Sequence, residues 1–291
     1  MNVAGSLADK FGGNDLSVPI GYMNSNGRVA GTVEDISYES TVIKSDAATV
    51  TRKAKVVLPK GYSKNKKYPV MYMIHGIFCN ETTFYNNNLQ SVIWNAIADG
   101  AEEMIVVFPN ACANETGTDN GLGFHIDHYR AYDNFINDLR ECLMPYMEKN
   151  YSIKTGRENT AIFGFSMGGR VALQIGFSMQ DDFRYVGGIC PTFGILEYEN
   201  MGVHEDGLFT EKTFTLQDKC MDDTLVMIGA GTNDGIVRTE PKRYSDALMA
   251  NKVPHLYYET YGGDAKDKGD GGHSEPTYKF GTYQFVKRIF K

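Results

Sequence analysis

Ser166, Asp234 and His273, in that chain order, have the residue types needed for acyl transfer. Ser166 lies in Gly164-Phe165-Ser166-Met167-Gly168-Gly169. This stretch fits G-x-S-x-G, in which a serine sits on a strained turn between a strand and a helix and presents its hydroxyl at the top of a sheet. A serine hydroxyl is a poor nucleophile near neutral pH. An imidazole must take its proton during attack and return it to the leaving group, and a carboxylate must hold the imidazole's tautomer. Asp234 is the acid, in Gly231-Thr232-Asn233-Asp234-Gly235, and His273 is the base, in Gly271-Gly272-His273-Ser274. The order serine, acid, histidine is the one such an elbow requires. An oxyanion hole completes the set. One backbone N–H comes from Met167, the residue after the nucleophile, and the second from the loop His75-Gly76-Ile77-Phe78, assigned to Ile77.

These residues need strands that end where they begin. Thr160 to Phe163 is a short apolar run that reads as a buried strand, and Arg170 to Met179 has helical spacing, so the serine falls between them. Gly164, Gly168 and Gly169 give strand and helix room to approach. Gly176-Phe177-Ser178-Met179 repeats the first four letters but lacks the second glycine and falls inside the helical stretch, so Ser178 reads as an ordinary helix residue. From Pro69 onward strands alternate with helices. The strands are Val70 to Ile74, Met104 to Phe108, Thr160 to Phe163, Tyr185 to Cys190, Leu225 to Ala230 and His255 to Thr260. The helices are Leu89 to Ala98, Tyr132 to Lys149 with a break expected at Pro145, Arg170 to Met179, Pro241 to Asn251 and Pro276 to Phe290. Thr239 and Ser274 are expected to cap the last two. Val33 to Ile43 and Lys53 to Leu58 alternate as outer antiparallel strands. The fold class is therefore α/β, a mostly parallel central sheet with helices on both faces, whose sites lie beyond the carboxyl ends of the strands. Residues 1–30 show no periodicity and read as an irregular leader or linker, and 31–291 as one catalytic domain.

Composition narrows the partners. The net charge is −7, and the one small lysine cluster, Lys64, Lys66 and Lys67, reads as a solvated loop, so neither nucleic acid nor an anionic membrane is an expected partner. No apolar run reaches membrane-spanning length, and five cysteines without C-x-x-C indicate neither a disulfide scaffold nor a zinc site. Asp222 and Asp223 precede their strand and are the weaker choice of acid. His255 begins a strand and reads as a packed residue, His204 as an exposed loop residue, and His75 as a shaper of the oxyanion loop through hydrogen bonds. His125-Ile126-Asp127-His128 lacks further ligands at a metal-site spacing. No metal or cofactor is expected. Asp264, Asp267 and Asp270 do not fit a calcium loop and read as a solvated lid or loop.

Leu58-Pro59-Lys60-Gly61-Tyr62, Lys67 to Gly76, Leu143-Met144-Pro145-Tyr146, the serine elbow, Gly231-Thr232-Asn233-Asp234 and Gly272-His273 follow one another in an order that resembles carbohydrate esterase family 1. This family comprises the feruloyl and acetylxylan esterases, close to the esterase D group. The resemblance runs from about Tyr38 to the C-terminus. It implies an α/β-hydrolase fold and a secreted enzyme of plant cell-wall breakdown, often one module of a larger protein. Such an enzyme cleaves ferulate or acetate from xylan or its oligosaccharides without metal or cofactor. It supports Ser166, Asp234 and His273 position by position. The chain departs from the family in having Ile77-Phe78-Cys79-Asn80 where many members continue with glycines, and Ser274-Glu275-Pro276 where many have an aromatic residue. Phe78, Phe124, Tyr129, Thr192 and Phe193 are expected to line the substrate site, and their aromatic character favours ferulate. The competing readings are an acetylxylan esterase, an S-formylglutathione hydrolase-like esterase and a non-catalytic carbohydrate-binding member of the fold.

Overall fold

A computed structural model describes residues 11–13, 15–25, 29–46, 48–118, 125–200, 203–237, 239–261 and 270–291. The strands of the main sheet are β1 (Thr32–Ser40), β2 (Val50–Leu58), β3 (Val70–Ile74), β4 (Ile105–Pro109), β5 (Thr160–Phe165), β6 (Tyr185–Ile189), β9 (Leu225–Gly231) and β10 (Leu256–Thr260). A small hairpin supplies β7 (Tyr198–Asn200) and β8 (Val203–Glu205). The eight strands lie in the order β1-β2-β4-β3-β5-β6-β9-β10. The two contacts of β2, with β1 and β4, are antiparallel, and every other pairing is parallel. Continuous apolar runs such as Val70–Ile74 are buried on both faces, as strands at the centre of a covered sheet must be. Val70, Tyr72 and Ile74 enter one core cluster while Met71 and Met73 enter the other, so the period-two alternation of a strand divides the apolar residues between the faces.

The helices are α1 (Thr83–Asn86), α2 (Leu89–Ala98), α3 (Ile126–Asp133), α4 (Phe135–Asp138), α5 (Met144–Asn150), α6 (Met167–Ser178), α7 (Asp218–Met221), α8 (Glu240–Ala250) and α9 (Glu275–Val286). Helices α3 to α6 cover one face through Tyr132, Leu139, Met147, Val171 and Ile175. Helices α2 and α9 cover the other through Val92, Ile93, Tyr283 and Phe285. The helix expected over residues 132–149 is divided among the end of α3, α4, a π-turn at Leu139–Leu143 and α5, with a first break at Asn134. Pro145 has no N–H to give to the carbonyl four residues back, and the wider turn just before it accommodates that loss.

The described residues ahead of β1 pack against the rest of the fold. The described residues among 11–25 contain neither strand nor helix, but Phe11 and Tyr22 are buried and pack on Tyr185 and Tyr283. The Arg288 guanidinium donates to the Asp15 carbonyl at 2.6 Å, and Asn95 Nδ2 to the Tyr22 carbonyl at 2.8 Å. The backbone of this strap is thus satisfied by side chains of α2 and of the C-terminal segment, and its aromatic residues close the outside of the α2–α9 layer. Lacking any periodicity of its own, such a segment is recognisable only through what it covers. Tyr22→Ala is expected to cost the whole domain about 3 kcal/mol, the cost of a large-to-small change in a core. Urea unfolding checks this: a detachable leader would leave the midpoint unmoved.

Candidate active site

Ser166 stands between β5 and α6 with φ 59° and ψ −121°, a backbone conformation that costs a non-glycine residue about 1–3 kcal/mol. Its surroundings hold it there. The Ser166 N–H donates to the Ile189 carbonyl at 3.0 Å, and its own carbonyl accepts from the Arg170 and Thr192 N–H groups at 3.0 and 3.2 Å. The glycines are required by space: a Cβ on Gly164 would lie 2.1 Å from the Gly168 carbonyl oxygen, and one on Gly168 would lie 2.0 Å from that of Ile74. Strand β5, helix α6 and the end of β3 therefore meet at near-contact distance. The Met167 N–H, at the first helical position, lies outside the intrahelical ladder of α6.

The acid and base arrive on loops at the carboxyl ends of β9 and β10. His273 Nε2 lies 2.8 Å from Ser166 Oγ, and His273 Nδ1 lies 2.7 Å from Asp234 Oδ2. The two loops are also joined through their backbones, since the Asn233 N–H donates to the Gly271 carbonyl at 2.8 Å. That approach requires Gly231, where a Cβ would fall 2.3 Å from the same carbonyl oxygen. The imidazole packs on the Phe165 ring, centroids 4.6 Å apart. Burial by itself would raise the Asp234 pKa, but the hydrogen bond and charge of His273 and the N–H groups of Val237 and Ile236 outweigh it and leave the group lowered. An ionised Asp234 can only accept, so Nδ1 carries the proton and Nε2 presents its lone pair to the serine hydroxyl.

Asp270 is exposed, as expected of a solvated loop, and it also braces that loop. Its Oδ1 accepts from the Gly272 N–H at 2.9 Å, from the Thr277 hydroxyl at 3.1 Å and from the Ser274 hydroxyl, which ties the His273 loop to the start of α9. Ser274 has the extended backbone of an N-cap but gives its hydroxyl to Asp270 rather than capping the helix with it, and the Thr239 side chain makes no capping bond either. Asp264 and Asp267 lie outside the described residues. His255, buried, bonds Ser245 Oγ and the Val253 carbonyl, and His204 is exposed. His125 caps α3, while His128 is buried against Phe78 and Tyr132.

Among the residues expected to line the site, Tyr129 is buried, and the tilted rings of Tyr129 and Tyr198 lie 5.8 Å apart. Phe193 stacks on Tyr198 at the same separation. Thr192 is tied to Ser166 through its backbone. Phe78, in the loop after β3, has φ 63° and is 53% exposed, and Phe124 lies outside the described residues. Tyr198 escaped the sequence reading because it lies in a hairpin too short to show alternation. Cys190 was placed at the end of its strand but given no role. Burial, and then the Asp234 carboxylate, push its thiol well above the ordinary range, so it stays protonated. The ligand atoms of Cys190, Asp234 and His273 lie within 4.8 Å of one another, but a protonated thiol is a poor metal ligand.

The lowered Asp234 value makes a pH-dependent prediction. A depressed folded pKa contributes stability that is complete above the ordinary carboxylate value of 3.8 and is lost as pH falls through the lowered one. Asp234→Asn should therefore lie furthest below wild type in urea midpoint near neutral pH and converge with it on acidification. A gap of constant size from pH 7 to pH 2.5 would show that the carboxylate charge contributes nothing.

Comparison with known proteins places this geometry in a lineage. The profile of the Esterase family matches residues 45–281. The ferulic acid esterase of Anaeromyces mucronatus, a CE1 enzyme with a structure in complex with ferulic acid, superposes with a TM-score of 0.82 at 36% identity, covering 95% of this chain and 97% of that one. A xylanase/feruloyl esterase of Xylanibacter ruminicola is 30% identical over 149 residues, 49% of this chain and 20% of that protein. Endo-1,4-beta-xylanase Y of Acetivibrio thermocellus is 32% identical over 162 residues, 52% of this chain and 14% of that protein. The chain spans only a minor part of the length of these two curated relatives. An elbow serine with acid and base in register, on a mostly parallel sheet that superposes almost end to end on a CE1 enzyme, places the chain in the Esterase family and, within it, in carbohydrate esterase family 1.

Proposed function

We propose that this enzyme is a serine carboxylesterase that releases ferulate from plant cell-wall xylan, or from its oligosaccharides, through an acyl-enzyme. The observation that carries the reading is the continuous chain Asp234–His273–Ser166, with both hydrogen bonds under 3 Å, in a fold shared with a ferulic acid esterase. Ser166 Oγ attacks the ester carbonyl as His273 Nε2 takes its proton, and Asp234 stabilises the imidazolium. Negative charge develops on the carbonyl oxygen, where the N–H groups of Met167 and Ile77 act as the oxyanion hole. Collapse expels the sugar hydroxyl with the proton held on His273, and water then repeats the sequence on the acyl-enzyme to free the acid and Ser166. No step requires a metal or cofactor.

The acyl group is the part of the substrate for which the site carries the clearest signal. A hydroxycinnamoyl ring is flat and apolar with a polar end. Tyr129, Tyr198 and Phe193 offer aromatic faces with hydroxyls in the same group, beside the segment that Thr192 ties to the nucleophile. The reading includes an extracellular place of action and service as one module of a larger wall-degrading protein, in keeping with the xylanase names of two relatives. Methyl ferulate and acetylated xylan assayed side by side test it. Faster ferulate release is expected, and Ser166→Ala should lose at least about a thousandfold in kcat with folding intact. Release of acetate alone would reassign the enzyme as an acetylxylan esterase and the aromatic group to packing.

A further inference from the structure

A buried ion pair takes no part in the chemistry just described. Arg52 on β2 and Asp138 at the end of α4 are 2% and 0% exposed. Asp138 Oδ2 accepts from Arg52 Nε at 3.3 Å and from the Tyr38 hydroxyl at 2.6 Å. Burying such a pair seldom stabilises a fold over an apolar replacement, so its partners matter more than its charge. The other two guanidinium nitrogens of Arg52 donate to the carbonyls of Asn110 at 2.5 Å and Cys112 at 2.6 Å. These two carbonyls flank Ala111, whose N–H donates to His75 Nε2 at 2.9 Å.

That bond decides the state of His75. With Nε2 accepting, the neutral ring carries its proton on Nδ1, which lies 2.8 Å from the Gly76 carbonyl oxygen and donates to it. The Tyr132 hydroxyl reaches the same oxygen at 3.3 Å. In a trans peptide the carbonyl of Gly76 and the N–H of Ile77 point in opposite directions, so two donors holding the oxygen also set the direction of the N–H. Gly76 in turn abuts the nucleophile: a Cβ placed on it would lie 3.4 Å from the Ser166 Cβ.

We propose that Arg52, Asp138 and His75 form a positioning relay that aims the Ile77 N–H at the oxyanion. The inference rests on Ile77 being the second oxyanion donor. Arg52 clamps the turn around Ala111, Ala111 selects the tautomer of His75, and His75 sets the Gly76–Ile77 peptide plane. None of the three touches the substrate. Their effect therefore belongs to the transition state, in which the carbonyl oxygen carries charge, and not to substrate binding.

Two replacements of His75 separate the halves of the relay. His75→Asn places an amide donor where Nδ1 stood and keeps the Gly76 bond, whereas His75→Gln places its amide near the Nε2 position and loses it. Turnover of 4-nitrophenyl acetate, corrected with Ser166→Ala, is the readout. His75→Gln should lower kcat about 30-fold with KM held within about twofold, a part of the hundred- to thousand-fold that a lost oxyanion donor costs. His75→Asn should keep most of kcat. Phenylboronic acid, which forms a tetrahedral adduct on the serine, should bind His75→Gln more weakly in proportion to kcat. Asp138→Asn should lower kcat in the same sense at temperatures well below its unfolding. If it does not fold, Tyr38→Phe, which removes one bond to Asp138, should show a smaller loss of kcat with KM kept. Equal losses in the two His75 variants, or a loss appearing in KM alone, would overturn the relay. Unchanged kcat in folded Asp138→Asn would do the same for its outer half. The acetate ester keeps this test separate from the ferulate reading. Wild type that hydrolyses it through Ser166 but leaves methyl ferulate untouched refutes that reading, while the ratios among the His75 variants still decide the relay.

Discussion

The close approach of three backbones around Ser166 is the constraint on which the rest of the structure depends. Strand β5 must turn into α6 so sharply that the serine takes a positive φ, and α6 must begin almost touching the carbonyls that end β3. Strain of about 1–3 kcal/mol persists only where the surroundings over-determine it. Here backbone bonds to β6 and to the segment after it, together with apolar clusters on both faces of the sheet, hold the turn in place. The same contact brings the loop after β3 against the nucleophile. One geometric demand thus places Ser166, the Met167 N–H and the loop after β3.

A second layer of organisation is polar, and most of it is backbone. The acid and base do not meet through their side chains alone, because the β9 loop donates to the β10 loop and Asp270 pins the latter to α9. His273 is held from three directions: Asp234 behind it, the Phe165 ring against its face and Ser166 in front. Catalytic groups fixed in this way need little reorganisation when charge develops, and electrostatic stabilisation depends on that. The protonated thiol of Cys190 lies beside Asp234 without adding charge.

The aromatic residues around the site divide by burial. Tyr129 and Tyr198 are nearly enclosed and form a group with Phe193, whereas Phe78 faces solvent in the loop after β3. Burial of the first group depends on mutual ring packing, whereas Phe78 has a ring contact with His128 and keeps half of its surface in solvent.

The sequence by itself determined the elements and the order of the reactive residues. Val70 to Ile74 and Leu89 to Ala98 are found at the limits their periodicity predicts, because alternation and helical spacing are local records of which side of a segment is buried. Ser166, Asp234 and His273 were legible for a related reason. Each follows an apolar run, and loops that leave one edge of a parallel sheet must converge. What only the tertiary structure decided depends on partners distant in the chain. The strap at residues 11–25 is defined by Asn95, Gln284 and Arg288. The turn around Ala111 is held by an arginine nearly sixty residues earlier. A buried polar group is recognised by the donors and acceptors that reach it, and no spacing along the chain records where folding will bring those from.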